Sequence, residues 1–212
     1  MNYQDIINNP DYTEITSVEH EEIKPFVKNE LAENQGWARA ANMYQLLGIL
    51  AFILGAFKAF MPFYVSRDYM YLVYLAAGIA FLFTIGIVLH ELIHAIAYKI
   101  VGAKHVSFGM NIRKFLFYVQ ADGEVINYRQ FKIIALAPAV VIGVLSVAGM
   151  AIFYNQALFY FFLAIFGLHS FCCGGDFGML CFFQNRPDEE IVTFDMKKEG
   201  KTFFYKKSIT TN

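Results

Sequence analysis

Cysteine is scarce in this chain, and its placement excludes more than its number does. Cys172, Cys173 and Cys181 all lie in one apolar stretch, with neither a Cys-x-x-Cys spacing nor the even count of an extracellular framework, so a disulfide scaffold is not expected. Charge is scarce too. Only 17% of the residues are charged and the net charge is −1, which leaves no basic excess for a nucleic-acid partner. The first fifteen residues are polar and acidic, without the basic and apolar regions of a cleaved signal peptide, so the first spanning helix is expected to do the targeting. There is no internal repeat and no low-complexity segment. What the chain has in quantity is apolar surface: 57% hydrophobic and 17% aromatic residues, where soluble domains average about 45–50% apolar. That composition points to an integral membrane protein.

Four apolar stretches follow one another, at about 43–63, 69–100, 131–154 and 157–183. Each exceeds or matches the roughly 20 residues a helix needs to cross a bilayer. The expected fold is a multi-pass α-helical membrane protein with four transmembrane helices, over 43–183. Asn155-Gln156 leaves room only for a tight turn, so the last two helices should form an antiparallel hairpin.

Three less apolar segments flank these helices. Residues 1–42 carry eight acidic and three basic residues and read as a solvated cytoplasmic tail. Within it, Thr16-x-x-Glu19 has the spacing of a capping box, Pro25 suits the start of a short helix, and Trp37 suits an interfacial anchor. In 101–130, Val106, Phe108, Met110 and Ile112 alternate with small or polar residues, and Phe115, Phe117 and Val119 continue the pattern after Arg113-Lys114. That alternation predicts one or two short strands at the membrane surface, closed by a turn at Asp122-Gly123. The tail 184–212 has the pattern of a β-hairpin: IVTFDM, a turn near Glu199-Gly200, then KTFFYKK. With four spans these three segments share one side and, with Lys99 and Lys132 at the adjoining helix ends counted with the loop, hold about fifteen of the seventeen basic residues; only Lys58 and Arg67 lie opposite. Both termini are therefore expected in the cytoplasm.

The second apolar stretch contains His90-Glu91-Leu92-Ile93-His94. Residues four apart share a helix face, so both imidazoles can reach one metal ion, and Glu91 is placed to take a proton from water there. Ionisable groups inside a membrane are expensive and mark functional sites. Of the eighteen acidic residues only Glu91 and Asp176 fall within the apolar stretches; of five histidines, His90, His94 and His169 do. Catalytic zinc takes three protein ligands and keeps a fourth position open. Asp176, within Gly174-Gly175-Asp176-Phe177-Gly178, is the preferred third ligand. It lies ten residues before Arg186, as His90 lies nine before Lys99, so both sit about 14 Å along their helices from one surface. His169 is the rival, seven residues earlier and expected on the same helix face, with Cys173 after it.

These residues resemble the intramembrane zinc metalloproteases of the site-2 protease type, and more closely the small bacterial membrane zincin peptidases. The resemblance covers about 69–183 and rests on His90, Glu91 and His94 in a spanning helix, the strand segment after it, Leu136-Ala137-Pro138 opening the next helix, and Asp176 in the last. It implies zinc held by His90, His94 and Asp176, with Glu91 as general base, in a bacterial cytoplasmic membrane. The expected substrate is then a membrane protein or peptide. The sequence departs from the site-2 pattern in having Phe177 after the aspartate and Ala137-Pro138 where Gly-Pro is common. Two other functional classes remain open: a zinc-binding adaptor that does not cut, and a metal transporter. Clustering of the polar groups at one depth argues for a site rather than a path.

Overall fold

The computed structural model describes residues 2–33, 36–111 and 116–208; the expected strand positions Ile112 to Phe115 lie outside the described residues. The chain begins with α1 (Tyr3–Ile7), β1 (Tyr12–Glu19) and α2 (Ile23–Glu33), and then enters the long helix α3 (Trp37–Ser66). Next come α4 (Met70–Phe81), a π-helical turn (Leu82–Gly86) and α5 (Ile87–Ile100) as one continuous run. Strands β2 (Ser107–Asn111), β3 (Leu116–Gln120) and β4 (Ile126–Asn127) lead into α6 (Tyr128–Ile152). Two helices, α7 (Leu158–Cys172) and α8 (Gly174–Gln184), precede the hairpin β5 (Ile191–Met196) and β6 (Lys201–Lys207). Among the described residues, four helical runs are long and apolar enough to cross a membrane: Trp37–Ser66, Met70–Ile100, Tyr128–Ile152 and Leu158–Gln184. The fold is thus mainly helical, with small strand segments, as the composition leads one to expect.

The chain forms two compact units. The first comprises residues 1–38, 94–136 and 175–212. Its sheet has the antiparallel order β1-β6-β5-β4, and β2 pairs with β3 in a separate two-stranded sheet, Ser107 opposite Gln120. The described residues of the segment 1–42 are therefore no solvated tail. Ile6 is fully buried with Val192, Phe194 and Tyr205, and β1 pairs along β6 from Tyr12–Lys207 to Glu19–Lys201. Thr16 and Glu19 sit in this strand and form no capping box. The β-branched Thr13, Ile15, Thr16 and Val18 suit a pleated surface, and pairing with β6 outweighs the local cap signal. A second cluster joins Val18, Phe182, Phe183, Ile191 and Phe204, with the Phe182 and Phe204 ring centroids 4.2 Å apart. Glu30 is buried and paired: Arg186 donates from Nη1 to Oε2 (3.2 Å) and from Nη2 to Oε1 (3.3 Å), and Asn185 Nδ2 donates to Oε2 (2.7 Å). Trp37 opens α3, with its backbone N–H on Gln184 Oε1 and its indole N–H on the Tyr128 hydroxyl.

The second unit comprises residues 39–93 and 137–174 and is built of helices alone among the described residues. Its core joins Ala59, Leu75, Tyr160, Leu163 and Ala164. Between α3 and α7 the backbones meet at glycine: a β-carbon on Gly48 would stand 2.9 Å from the Gly167 carbonyl oxygen and would overlap the Ser170 hydroxyl. Helices in an apolar solvent gain little from burying apolar side chains, so small residues that permit close backbone approach hold them together. Leu46, Leu47, Leu50, Ile53, Leu54 and Phe57 of α3 are all exposed. In water such a patch would be a liability; against hydrocarbon it is the stable arrangement.

Candidate metal centre

The helix carrying His-Glu-x-x-His does not run undisturbed into it. Leu82–Gly86 form a π-helical turn, and Thr84 Oγ1 donates back to the Ala80 carbonyl at 2.7 Å. Such one-turn bulges reset the rotation of everything that follows, and they are frequent at functional sites. Four residues later α5 presents His90 and His94, both 8% exposed, one helical turn apart on one face. Glu91 lies beside them on α5, half-buried.

In the second unit His90 meets His169. Nδ1 of His90 is 3.0 Å from Nε2 of His169, and the ring centroids are 5.2 Å apart. His169 is 1% exposed and Cys173 is fully buried, with Sγ 3.7 Å from His169 Nδ1. The nitrogen and sulfur atoms of His90, His169 and Cys173 lie close enough together to hold one ion.

In the first unit His94 meets Asp176. Nε2 of His94 is 3.2 Å from Asp176 Oδ1, and Nδ1 of His94 is 2.9 Å from the Ile134 carbonyl oxygen. A carbonyl can only accept, so Nδ1 of His94 carries the proton and donates it. In the neutral ring, Nε2 is then a bare lone pair aimed at a carboxylate oxygen. Two acceptors at that distance repel each other unless a cation, either a proton or a metal, lies between them. Two ligands of a tetrahedral zinc, each about 2.0–2.1 Å from it, stand about 3.3 Å apart. The pair thus has the chemistry and the spacing of zinc ligands. The freed Ile134 carbonyl has a sequence cause. Pro138 stands four residues on, inside α6, and has no N–H to donate back to Ile134. Leu136-Ala137-Pro138 thus carries more than a family likeness: its proline stands four residues after a carbonyl that something else must then satisfy.

Asp176 reaches His94 because the last apolar stretch is two helices, not one. The sequence predicts a single helix over about 157–183, with Asp176 and His169 on one face. Instead α7 ends with Cys173 as its C-cap, and α8 restarts at Gly174-Gly175. The paired glycines lower the cost of breaking the helix. The break places Asp176 in the first turn of α8, where the helix dipole favours a carboxylate. The structure therefore brings Asp176 to His94 and His169 to His90.

Residues 82–191, just over half of the chain, match the family described as "Putative zincin peptidase". No curated protein and no solved structure matches the chain.

Proposed function

This chain belongs to the zincin peptidase family, and we propose that it is a membrane-embedded zinc metalloprotease of the site-2 protease type, with zinc held by His90, His94 and Asp176. The observation that carries the reading is the 3.2 Å approach of His94 Nε2 to Asp176 Oδ1 while His94 Nδ1 is engaged by Ile134. His90 precedes His94 by one turn on the same helix and can offer its own nitrogen to the same ion. Bound zinc supplies a Lewis acid that polarises the scissile carbonyl and brings the pKa of water down to about 7.

The chain's own residues do the rest. Glu91 adjoins the ligand His90 and is not itself counted among the ligands, so its carboxylate is the base. It takes the proton of the attacking water and returns it to the leaving amine nitrogen. His94 is kept by Ile134 in the tautomer that binds metal. A peptide bond within a helix is shielded by its own hydrogen bonds, so the substrate, a membrane protein or peptide, must be unwound before it is cut. The β2–β3 sheet, which pairs with no other strand among the described residues, offers an edge for an extended segment. The lysine and arginine bias supports cytoplasmic termini, and the likeness to the small bacterial zincin peptidases supports a bacterial cytoplasmic membrane.

The test is a Glu91→Gln variant compared with wild type by zinc content and by proteomics of processed membrane proteins. Zinc should remain at about one per chain while turnover falls at least about a hundredfold, and an uncleaved membrane substrate should accumulate. If no membrane protein changes its processed fraction and the variant behaves as wild type in cells, the chain is an adaptor and not a protease. A transporter would keep its metal flux in the same variant.

A further inference from the structure

Metal-binding histidines are held by a partner on their other ring nitrogen, usually a carboxylate, a backbone carbonyl or water, and loss of that partner typically weakens metal binding about 10–100-fold. His94 follows the rule through the Ile134 carbonyl. On its Nδ1 His90 meets His169 at 3.0 Å, on α7, with both rings buried. His169 in turn has Cys173 four residues on, with Sγ 3.7 Å from its Nδ1 and 3.8 Å from its Nε2.

We propose that His169 is the positioning residue of the metal centre: its Nε2 accepts the Nδ1 proton of His90 and so fixes His90 in the tautomer whose Nε2 binds zinc. The inference rests on the zincin reading above, because the 3.0 Å contact alone admits either direction of donation. Zinc on His90 Nε2 removes that freedom. His90 then carries its only proton on Nδ1, and His169 Nε2 must be the acceptor. Neutral His169 therefore has its own proton on Nδ1, where the Cys173 sulfur receives it as a weak acceptor. The direction of every bond in the row His90, His169, Cys173 follows from the metal at one end. The row also accounts for a buried histidine and a buried cysteine that the hydrolytic chemistry leaves unused. It assigns His169, the rival third ligand in the sequence, a different part: it serves the metal through His90 instead of binding it. The break at Cys173 suits both tasks, since it leaves His169 on α7 and Cys173 as the cap of α7, beside His90 of α5, while Asp176 lies in a new helix.

The experiment measures zinc affinity by chelator competition on purified full-length protein, with the cobalt-substituted absorption spectrum and the melting temperature of the zinc-free protein as parallel readouts. His169→Ala should weaken zinc about 10–100-fold yet keep a tetrahedral cobalt spectrum of unchanged intensity, because no ligand is lost. His169→Gln, which restores an acceptor, should recover most of the affinity. Cys173→Ser should stay near wild type. A merely structural role would lower the zinc-free melting temperature equally in both His169 variants and give no rescue by glutamine. Should His169→Ala bind zinc as tightly as wild type, the proposal is overturned. It is overturned as well if that variant loses the tetrahedral spectrum while Asp176→Ala keeps it, for His169 would then be a ligand. Failure of the wild-type protein to bind zinc at all would sink the zincin reading itself, a result distinct from either.

Discussion

The two compact units solve the same problem with different physics. The first unit, with the sheet, uses what water-facing domains use: stacked phenylalanines, backbone ladders and a buried ion pair between Glu30 and Arg186. The second has aromatic pairs as well, such as Phe153 stacked on Phe162, but its described residues form no strands and so no backbone ladder between them. Its helices approach closely at glycine, as at Gly48 and Gly167, and many large apolar side chains of α3, such as Leu46, Leu50 and Leu54, face outward. The difference teaches where the stabilising free energy comes from in each. Water drives apolar groups inward in the first unit; in an apolar solvent only contact and hydrogen bonding remain. The His-Glu-x-x-His motif falls on the division. His90 belongs to one unit and finds its partner His169 there, while His94 belongs to the other and finds Ile134 and Asp176.

The sharpest way to break this comparison is at Gly48. A leucine there would collide with the Gly167 backbone, which cannot move aside as a side chain can. Gly48→Leu should abolish the monodisperse folded protein in detergent, seen as loss of the size-exclusion peak. A well-folded variant with wild-type melting would show that close helix approach does not hold the second unit together.

A smaller effect is expected at Arg186 in the first unit. Arg186→Ala leaves Glu30 buried without its counter-charge, at a cost of about 3–5 kcal/mol. Thermal unfolding should show a large loss, and the double variant Glu30→Leu/Arg186→Leu should recover much of it, since replacing both partners by apolar groups is often neutral. No recovery in the double variant would mean that the ion pair itself, not the orphaned charge, sets the stability.

The smallest effect concerns pH. Burial holds the Asp195 carboxyl above the ordinary range, and Asp122 adds to this, while the Thr202 hydroxyl bond (2.6 Å) and His20 oppose it. The folded state thus keeps a proton that the unfolded chain has already lost. Stability from this group is full below the unfolded pKa of about 3.9 and falls as pH rises through the folded value. Asp195→Asn removes that decline, so its stability relative to wild type should rise with pH across this window. A relative stability that is flat or falls in melting curves from pH 4 upward would contradict the assignment.

Much of the candidate site is legible in the sequence because it is local. The i,i+4 spacing of His90 and His94 needs only helix geometry, and the isolation of Asp176 among apolar residues needs only composition. The hairpin at residues 191–207 was readable from alternation and a glycine turn; β5 and β6 pair there, and Gly200 has a φ of 64°. The N-terminal sheet strand was not readable. A polar strand such as β1 shows its pattern only against β6, almost two hundred residues away. The π-helical turn was invisible for a similar reason, since Leu82–Gly86 have no composition that distinguishes them from ordinary helix.

The sequence by itself determined that there would be four membrane-length apolar helices, which histidines share a helix face, and which carboxylates stand among them. Those facts depend on residue type and on spacing along a chain of fixed geometry. Only the tertiary structure decided which partner each ring nitrogen meets. The π-helical turn sets the rotation of α5, the break at Cys173 to Gly174 turns Asp176 towards His94 and leaves His169 to His90, and Pro138 frees the carbonyl that His94 takes. Each is a choice among hydrogen-bond partners far apart in sequence, and burial decides it by penalising every polar group that goes without one.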